Sequence, residues 1–437
     1  MKKKIRTFLW LFTYFLMIFL PIILLMIFPH TEKRGFLREA AVAIGFIAMS
    51  LLGLQLIPTA RLRVLTRTFD MDMIYDVHHK LSVVTFITIL FHPILLFIDG
   101  VPLRLLNIFT GSWRPRAGVL AIVSILILIV TSVWRKPIKL RYDIWRWIHN
   151  IMSIVAIGFA LYHMFQVNHY LSLTYQRVIW LSLTGLWVLI ILYVRLIKPL
   201  IRVKKPYEVV SIHPERGSSW SIELKPKNHK GLKFLAGQFG WLTKDSPLAF
   251  RDNPFSFSTN ADRTDGSFGF TVKELGDFTK TVKDLKPGDK VYVDGPYGTF
   301  SLDEHEHKNI VFIAGGIGSA PVIGMLRTMA SRQIKSPIFF FYGSPSWDEV
   351  IYREELDKLI TQLDLEVIHI LEKTHTGWEG ESGYITQEIL KTHLPEDYRE
   401  CTYFLCGPLP MLNAAETYLN YLGVSHKHIF SEKYEMA

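Results

Sequence analysis

Cysteine is almost missing from this chain: two of 437 residues, Cys401 and Cys406. That excludes a disulfide framework and a cysteine-rich metal site. Acidic residues are scarce in the first half. Residues 1–205 carry 25 Lys and Arg against 7 Asp and Glu, whereas residues 206–437 carry 24 against 32. The formal charge of +10 thus averages a basic half and a mildly acidic half. No basic stripe falls on the acidic half, so no nucleic-acid partner is expected. An EF-hand loop and a proline-rich ligand segment are also lacking, and no obligatory protein partner is expected.

What the first half has in abundance is long apolar runs. Six are long enough to span a membrane, near 8–28, 38–57, 77–98, 117–134, 145–165 and 174–197. The first follows Met-Lys-Lys-Lys-Ile-Arg but has no small-x-small cleavage site and leads into a second span, so it is expected to stay as an anchor. Lys and Arg decide orientation. The N-terminus, the 58–76 and 135–146 loops and the 195–205 tail hold 17 of them, and the other three connections hold 7. Both termini are therefore expected in the cytoplasm of a multi-pass plasma-membrane protein in contact with lipid.

Four histidines stand in those spans: His78 and His92 are 14 apart, and so are His149 and His163. At about 100° and about 1.5 Å per residue, 14 steps return a side chain to within roughly 40° of one helix face, about 21 Å further along. The third and fifth spans both run from inside to outside, which places His78 and His149 near the inner surface and His92 and His163 near the outer one. Two such helices side by side can hold two stacked b-type haems, each with one axial nitrogen from each helix. His79, 13 before His92, is the competing inner ligand.

After residue 205 the pattern changes to short alternating runs broken by Gly and Pro, the mark of strands and turns. The expected organisation is a six-helix transmembrane bundle over 1–198, a basic linker at 199–205, an antiparallel β-barrel over 206–303, and an α/β nucleotide-binding domain over 304–437. The barrel strands are placed at Tyr207–His213, Trp220–Leu224, Gly237–Leu242, Phe255–Ser258, Phe268–Val272 and Lys290–Asp294. In the last domain Ile313-Ala-Gly-Gly-Ile-Gly-Ser-Ala-Pro321 joins a strand to a helix. Gly315, Gly316 and Gly318 permit a tight turn and close backbone approach, and the helix start favours a pyrophosphate. Asn253-Pro-Phe-Ser-Phe-Ser258 offers Phe255 as a flat ring for an isoalloxazine and Ser256 as a hydrogen-bond donor beside it. Lys273, the Gly276 backbone and the Thr279 hydroxyl suit a second pyrophosphate.

In order and spacing these segments resemble the ferredoxin–NADP reductase module. From about residue 38 onward the chain resembles the ferric reductase and NADPH oxidase superfamily, on His78-His-Lys-Leu-Ser82, His92-Pro93, Trp145-Arg-Trp-Ile-His149 and His163. The resemblance implies haem ligation by His78, His92, His149 and His163, and FAD contacts at Phe255 and Ser256, with Lys273, Gly276 and Thr279 beside them. It implies nicotinamide-nucleotide contacts at Gly315, Gly316, Gly318, Pro321 and the Cys406-Gly407-Pro408 turn. The tail Phe430-Ser-Glu-Lys-Tyr434 resembles the family's terminal motif, so Glu432 and Tyr434 are expected at the flavin, with Ser256, Cys406 and Tyr434 nearest the chemistry. Three departures stand out: Asn253 replaces a basic residue, leaving Arg251 as the substitute; Ala320 replaces a hydroxyl before Pro321; and His79 and Ser82 replace Arg and Gly.

The implied activity is an electron relay from NADPH or NADH through FAD and two haems to an acceptor outside, a ferric chelate or O₂. Delivery to a partner protein or quinone is a further alternative. The connection Met164–Leu173 is short, which favours an open site and a metal chelate. Hydroxyls in Gly343-Ser-Pro-Ser346, with Arg353 nearby, lean the nucleotide toward NADPH. Arg61, Arg63 and Arg146 are candidate counter-charges for inner haem propionates, and Arg114 and Arg116 for outer ones.

Overall fold

Long apolar runs surrounded by lipid satisfy their backbone by folding as helices, and six do so among the described residues. A computed structural model describes residues 2–28, 34–66, 68–109, 111–249, 251–305 and 309–433; Tyr434 lies outside them. The helices able to cross a membrane are Lys4–Ile27, Phe36–Thr59, Met71–Ile98, Trp113–Val133, Tyr142–Val167 and Thr174–Val203. They match the six expected spans and run past most of their expected ends, because the helical ladder continues into polar flanks such as Asp72 and Arg114 where the apolar window has stopped.

The chain divides into two compact units: Met1–Thr68 with Met73–Leu196, and Phe69–Asp72 with Ile197–Ala437. In the helical unit small residues share the interior with a cluster around Trp180 and Trp187, while many large apolar side chains face outward. Ala41, Ala117 and Ala156 are 0% exposed, whereas Phe8 is 66% and Ile98 65% exposed. Small residues let helices approach closely where lipid, not water, surrounds them.

The second unit begins with the 199–205 segment. Its composition predicts a linker, but Lys198–Val203 is helical. The helix is held to the barrel by a largely buried ion pair, Lys198 to Asp294 at 2.8 Å, with Lys198 also donating to the Tyr297 hydroxyl at 2.8 Å. Next come six antiparallel strands: β1 Tyr207–Glu215, β2 Ser219–Pro226, β3 Phe239–Thr243, β4 Asn253–Ser256, β5 Phe268–Lys273 and β6 Lys290–Tyr297. Their order is β4-β3-β6-β1-β2-β5, and a bridge between Phe257 and Phe270 closes the barrel. Phe257, Phe268 and Phe270 fill it, each fully buried.

The remaining strands are β7 Ile310–Gly315, β8 Ile338–Ser346, β9 Leu365–Lys373, β10 Glu381–Ser382, β11 Thr402–Gly407 and β12 Ile429–Lys433. They form a parallel sheet in the order β10-β9-β8-β7-β11-β12. β7 and β11 are buried along their whole length, as expected of strands covered by helices on both faces. The strand order reverses between β7 and β11, so the crevice at their C-terminal ends is where such a sheet binds ligands. The pairing of β12 with β11 runs from Tyr403 opposite Ile429 to Gly407 opposite Lys433. The tail that reads as a terminal motif is thus also a sixth parallel strand, whose mixed polar pattern conceals it.

Candidate functional site

In the helical unit the two histidines of the third span each meet one of the fifth. The ring centres of His78 and His149 are 6.4 Å apart, and those of His92 and His163 are also 6.4 Å apart. With an imidazole–metal bond of about 2.0 Å and about 1.1 Å from nitrogen to ring centre, two imidazoles on one iron have centres about 6.2 Å apart. Both pairs therefore fit a bis-histidyl haem iron. His78, not the exposed His79, faces His149. Among the described residues no group of three or more His, Cys, Asp or Glu forms a protein-only metal site.

The rings of the second pair are held by backbone. His92 Nδ1 lies 2.8 Å from the Ala41 carbonyl oxygen, and His163 Nδ1 lies 2.7 Å from that of Arg114. Both carbonyls belong to residues four before a glycine, Gly45 and Gly118. A Cβ on Gly45 would lie 2.8 Å from His92 Nδ1, and one on Gly118 would lie 3.1 Å from His163 Nδ1. The glycines make room for the imidazoles. A carbonyl at Nδ1 fixes the proton there and leaves Nε2 free to bind metal.

The first pair is held differently. His149 Nδ1 lies 3.4 Å from Ser132 Oγ, which also accepts a bond from Trp145 Nε1 at 3.2 Å. Trp145 packs on the His149 ring, centres 5.2 Å apart. His78 Nδ1 is buried, with no hydrogen-bond partner among the described residues. Sequence alone does not single out Ser132, Gly45 or Gly118. Mid-span glycines on neighbouring helices are the available signal.

In the second unit the crevice between β7 and β11 is built from the glycine loop. Gly316 has φ +53°, and a Cβ on Gly318 would lie 2.1 Å from the Cys406 carbonyl oxygen. A Cβ on Gly315 would meet Met411 Sδ at 2.6 Å and Pro408 Cδ at 3.1 Å. The Gly315–Gly318 and Cys406–Pro408 turns are thus packed on one another, as the sequence grouping implies. The following helix, Ser319–Ser331, buries Pro321 in its first turn. Tyr342, pushed up to about 12 by burial, donates to Ser319 Oγ at 3.1 Å and steadies that turn.

At the barrel, Ser256 donates to Glu432 across 176 residues of sequence, at 3.3 Å with both side chains buried. Burial, with Asp72 and Asp70 nearby, raises the Glu432 carboxyl well above the ordinary range. Phe255, the next residue along β4, points the other way and packs on Phe270 and Phe278. Lys273 pairs with Glu349 at 3.7 Å. The Thr279 hydroxyl accepts from the Leu275 and Gly276 amides at 2.9 and 2.8 Å, so it closes its own loop. Arg353 stacks 4.8 Å over Trp347 and pairs with Glu354, rather than standing free at the end of β8.

Two family models match the chain. Residues 44–160 match the ferric reductase like transmembrane component, and residues 312–417 match the oxidoreductase NAD-binding domain. The chain joins a ferric-reductase-like membrane domain to an NAD-binding oxidoreductase domain. It is a fusion of the ferric reductase and NADPH oxidase type. Its reductase half is 32% identical over 183 residues to NADH-cytochrome b5 reductase 1 of Eremothecium gossypii, covering 40% of this chain and 63% of that protein. It is 32% identical over 167 residues to NADH-cytochrome b5 reductase 2 of Mycosarcoma maydis, covering 37% of this chain and 47% of that one. Among solved structures, the ferredoxin reductase in carbazole 1,9a-dioxygenase aligns at 24% identity with a TM-score of 0.47, covering 53% of this chain and 69% of that one. The fusion therefore spans less than two thirds of the length of the curated relatives it matches.

Proposed function

We propose that the fusion is a transmembrane oxidoreductase that carries electrons from cytoplasmic NAD(P)H, through FAD and two b-type haems, to an acceptor outside the plasma membrane. The observation that carries this reading is the equal 6.4 Å spacing of the two histidine pairs. The basic loops support cytoplasmic termini, which puts His78 and His149 near the cytoplasmic surface. The nucleotide pyrophosphate is held over Gly315, Gly316 and Gly318, and Cys406 to Pro408 line the other wall. When bound, the flavin converts a two-electron hydride into single electrons. Each hydride leaves one proton behind once both electrons have gone. Glu432, whose carboxyl burial raises well above the ordinary range and which accepts from Ser256, is the group to move that proton.

NADH is the better fit for the nucleotide, against the lean of the sequence. Asp348 and Glu349 follow β8, while Arg353, the basic residue the sequence offers for a 2′-phosphate, is engaged by Glu354 and Trp347. Carboxylates at the end of the second strand suit a ribose hydroxyl and repel a phosphate. The names of the two relatives, both NADH reductases, point the same way. A lower Michaelis constant for NADPH than for NADH would reverse this assignment.

A ferric chelate remains the preferred acceptor, because only residues 168–173 connect the fifth and sixth helices beside the His92–His163 end. The deciding experiment is a reduced-minus-oxidised visible spectrum of the purified chain with haem quantitation, followed by turnover with ferric chelate. Two bis-histidyl b haems per chain and turnover insensitive to superoxide dismutase are expected. A folded haem-free protein defeats the reading, and dismutase-sensitive cytochrome c reduction replaces the acceptor with O₂.

A further inference from the structure

The two histidine pairs share a spacing but not a surrounding. At His92 and His163 both Nδ1 atoms lie within 2.8 Å of a backbone carbonyl oxygen. At the other pair, His149 Nδ1 has one long contact of 3.4 Å to a serine oxygen that Trp145 already engages, and His78 Nδ1 has none among the described residues. A ligating imidazole that donates its second N–H to a carbonyl gains negative character and becomes a stronger donor to the metal. A stronger donor stabilises the ferric ion over the ferrous ion and lowers the reduction potential.

We propose that the His92–His163 pair holds the more reducing of the two haem irons, and that Gly45 and Gly118 are the positioning residues that make it so. This rests on the haem reading given above. Each site takes one electron, ferric to ferrous, and no proton is required at either. The His78–His149 pair, with its weaker partners, defines the site where an electron settles first. The His92–His163 pair is then filled only against a gradient and passes its electron on as the stronger reductant, which suits a one-electron acceptor of low potential.

The glycines act through geometry. A Cβ at 2.8 Å from His92 Nδ1 leaves no room for the ring where it now lies, so an alanine at 45 must displace it from the Ala41 carbonyl. At Gly118 the overlap is milder, 3.1 Å, and the ring needs to give only by a few tenths of an ångström. Ser132 lies beside the other pair and serves as the control.

The test is a redox titration of the purified full-length chain, followed through the haem visible bands. Wild type is expected to titrate in two resolved one-electron steps. Gly118→Ala is expected to move only the lower step, and to move it upward, with haem content and bis-histidyl spectrum unchanged. Ser132→Ala is expected to move only the upper step, and by less. A single unresolved step in wild type, or an upward move of the higher step in Gly118→Ala, overturns the inference while leaving the haem reading in place. Fewer than two bis-histidyl haems in wild type overturns both. Should Gly118→Ala lose haem, the Ser132→Ala titration still decides, since a shift of the lower step would contradict the assignment.

Discussion

The two units differ in what they leave exposed. In the helical unit Ala41, Ala117, Ala156 and Trp180 have no exposure, while many large side chains, Phe8 and Phe36 among them, lie as much as 66% and 84% exposed. In the reductase unit Phe257, Phe268, Phe270, Phe312 and Phe404 are fully buried. Water drives large apolar side chains inward, whereas lipid does not distinguish them, leaving close helix approach to small residues. The consequence for function is that the helical unit can spend its interior on polar imidazoles, and the reductase unit keeps its chemistry at strand ends.

The largest expected effect is also the most local. His78→Ala should remove one haem per chain, read as a halved haem-to-protein ratio. The reductase unit should keep its thermal transition and its NAD(P)H-driven reduction of a soluble dye. Loss of both units together would break the separation drawn above. Gly318→Val comes next, because its Cβ would sit 2.1 Å from the Cys406 carbonyl oxygen. It should cost about 3–5 kcal/mol in the reductase unit and abolish nucleotide binding, with haem content unchanged. A paired truncation then tests burial itself. Phe268→Ala should cost about 3–5 kcal/mol, and Phe8→Ala well under about 1 kcal/mol, in denaturant unfolding of the solubilised chain. Equal costs would refute the contrast between the lipid-facing and the buried phenylalanine.

The smallest effect is a pH dependence confined to the reductase unit. Burial holds His369 down at about 4, against an ordinary 6.5. The unfolded chain therefore binds the extra proton between those values, and stability falls as pH drops through that window. At most about 3 kcal/mol is lost, and stability is flat with respect to this group above the unfolded value. His369→Gln should flatten the slope between the ordinary 6.5 and about 4, measured by unfolding midpoints; an unchanged slope removes His369 as its source.

Much of this architecture is legible in the sequence. Six spans, six barrel strands and the strand–glycine–helix element all follow from hydropathy and period, which are local properties. The segment 199–205 misleads because its charges mark a surface loop, while the Lys198–Asp294 pair that makes it a docked helix joins residues 96 apart in sequence. β12 is hidden because Phe430-Ser-Glu-Lys has too little apolar content to read as a buried parallel strand; only its pairing with β11 defines it. His78 and His79 cannot be separated by spacing alone, and the ring facing His149 separates them.

What the sequence determined by itself is the periodic part: membrane spans, histidines one face apart, and glycines at a strand-to-helix turn. Each depends on residues close in the chain, whose spacing translates directly into geometry. Tertiary structure alone decided which groups surround those residues. Gly45 lies under His92, Ser132 beside His149, and Glu432 against Ser256. Such neighbours depend on the register between separate helices and strands, which no local pattern encodes.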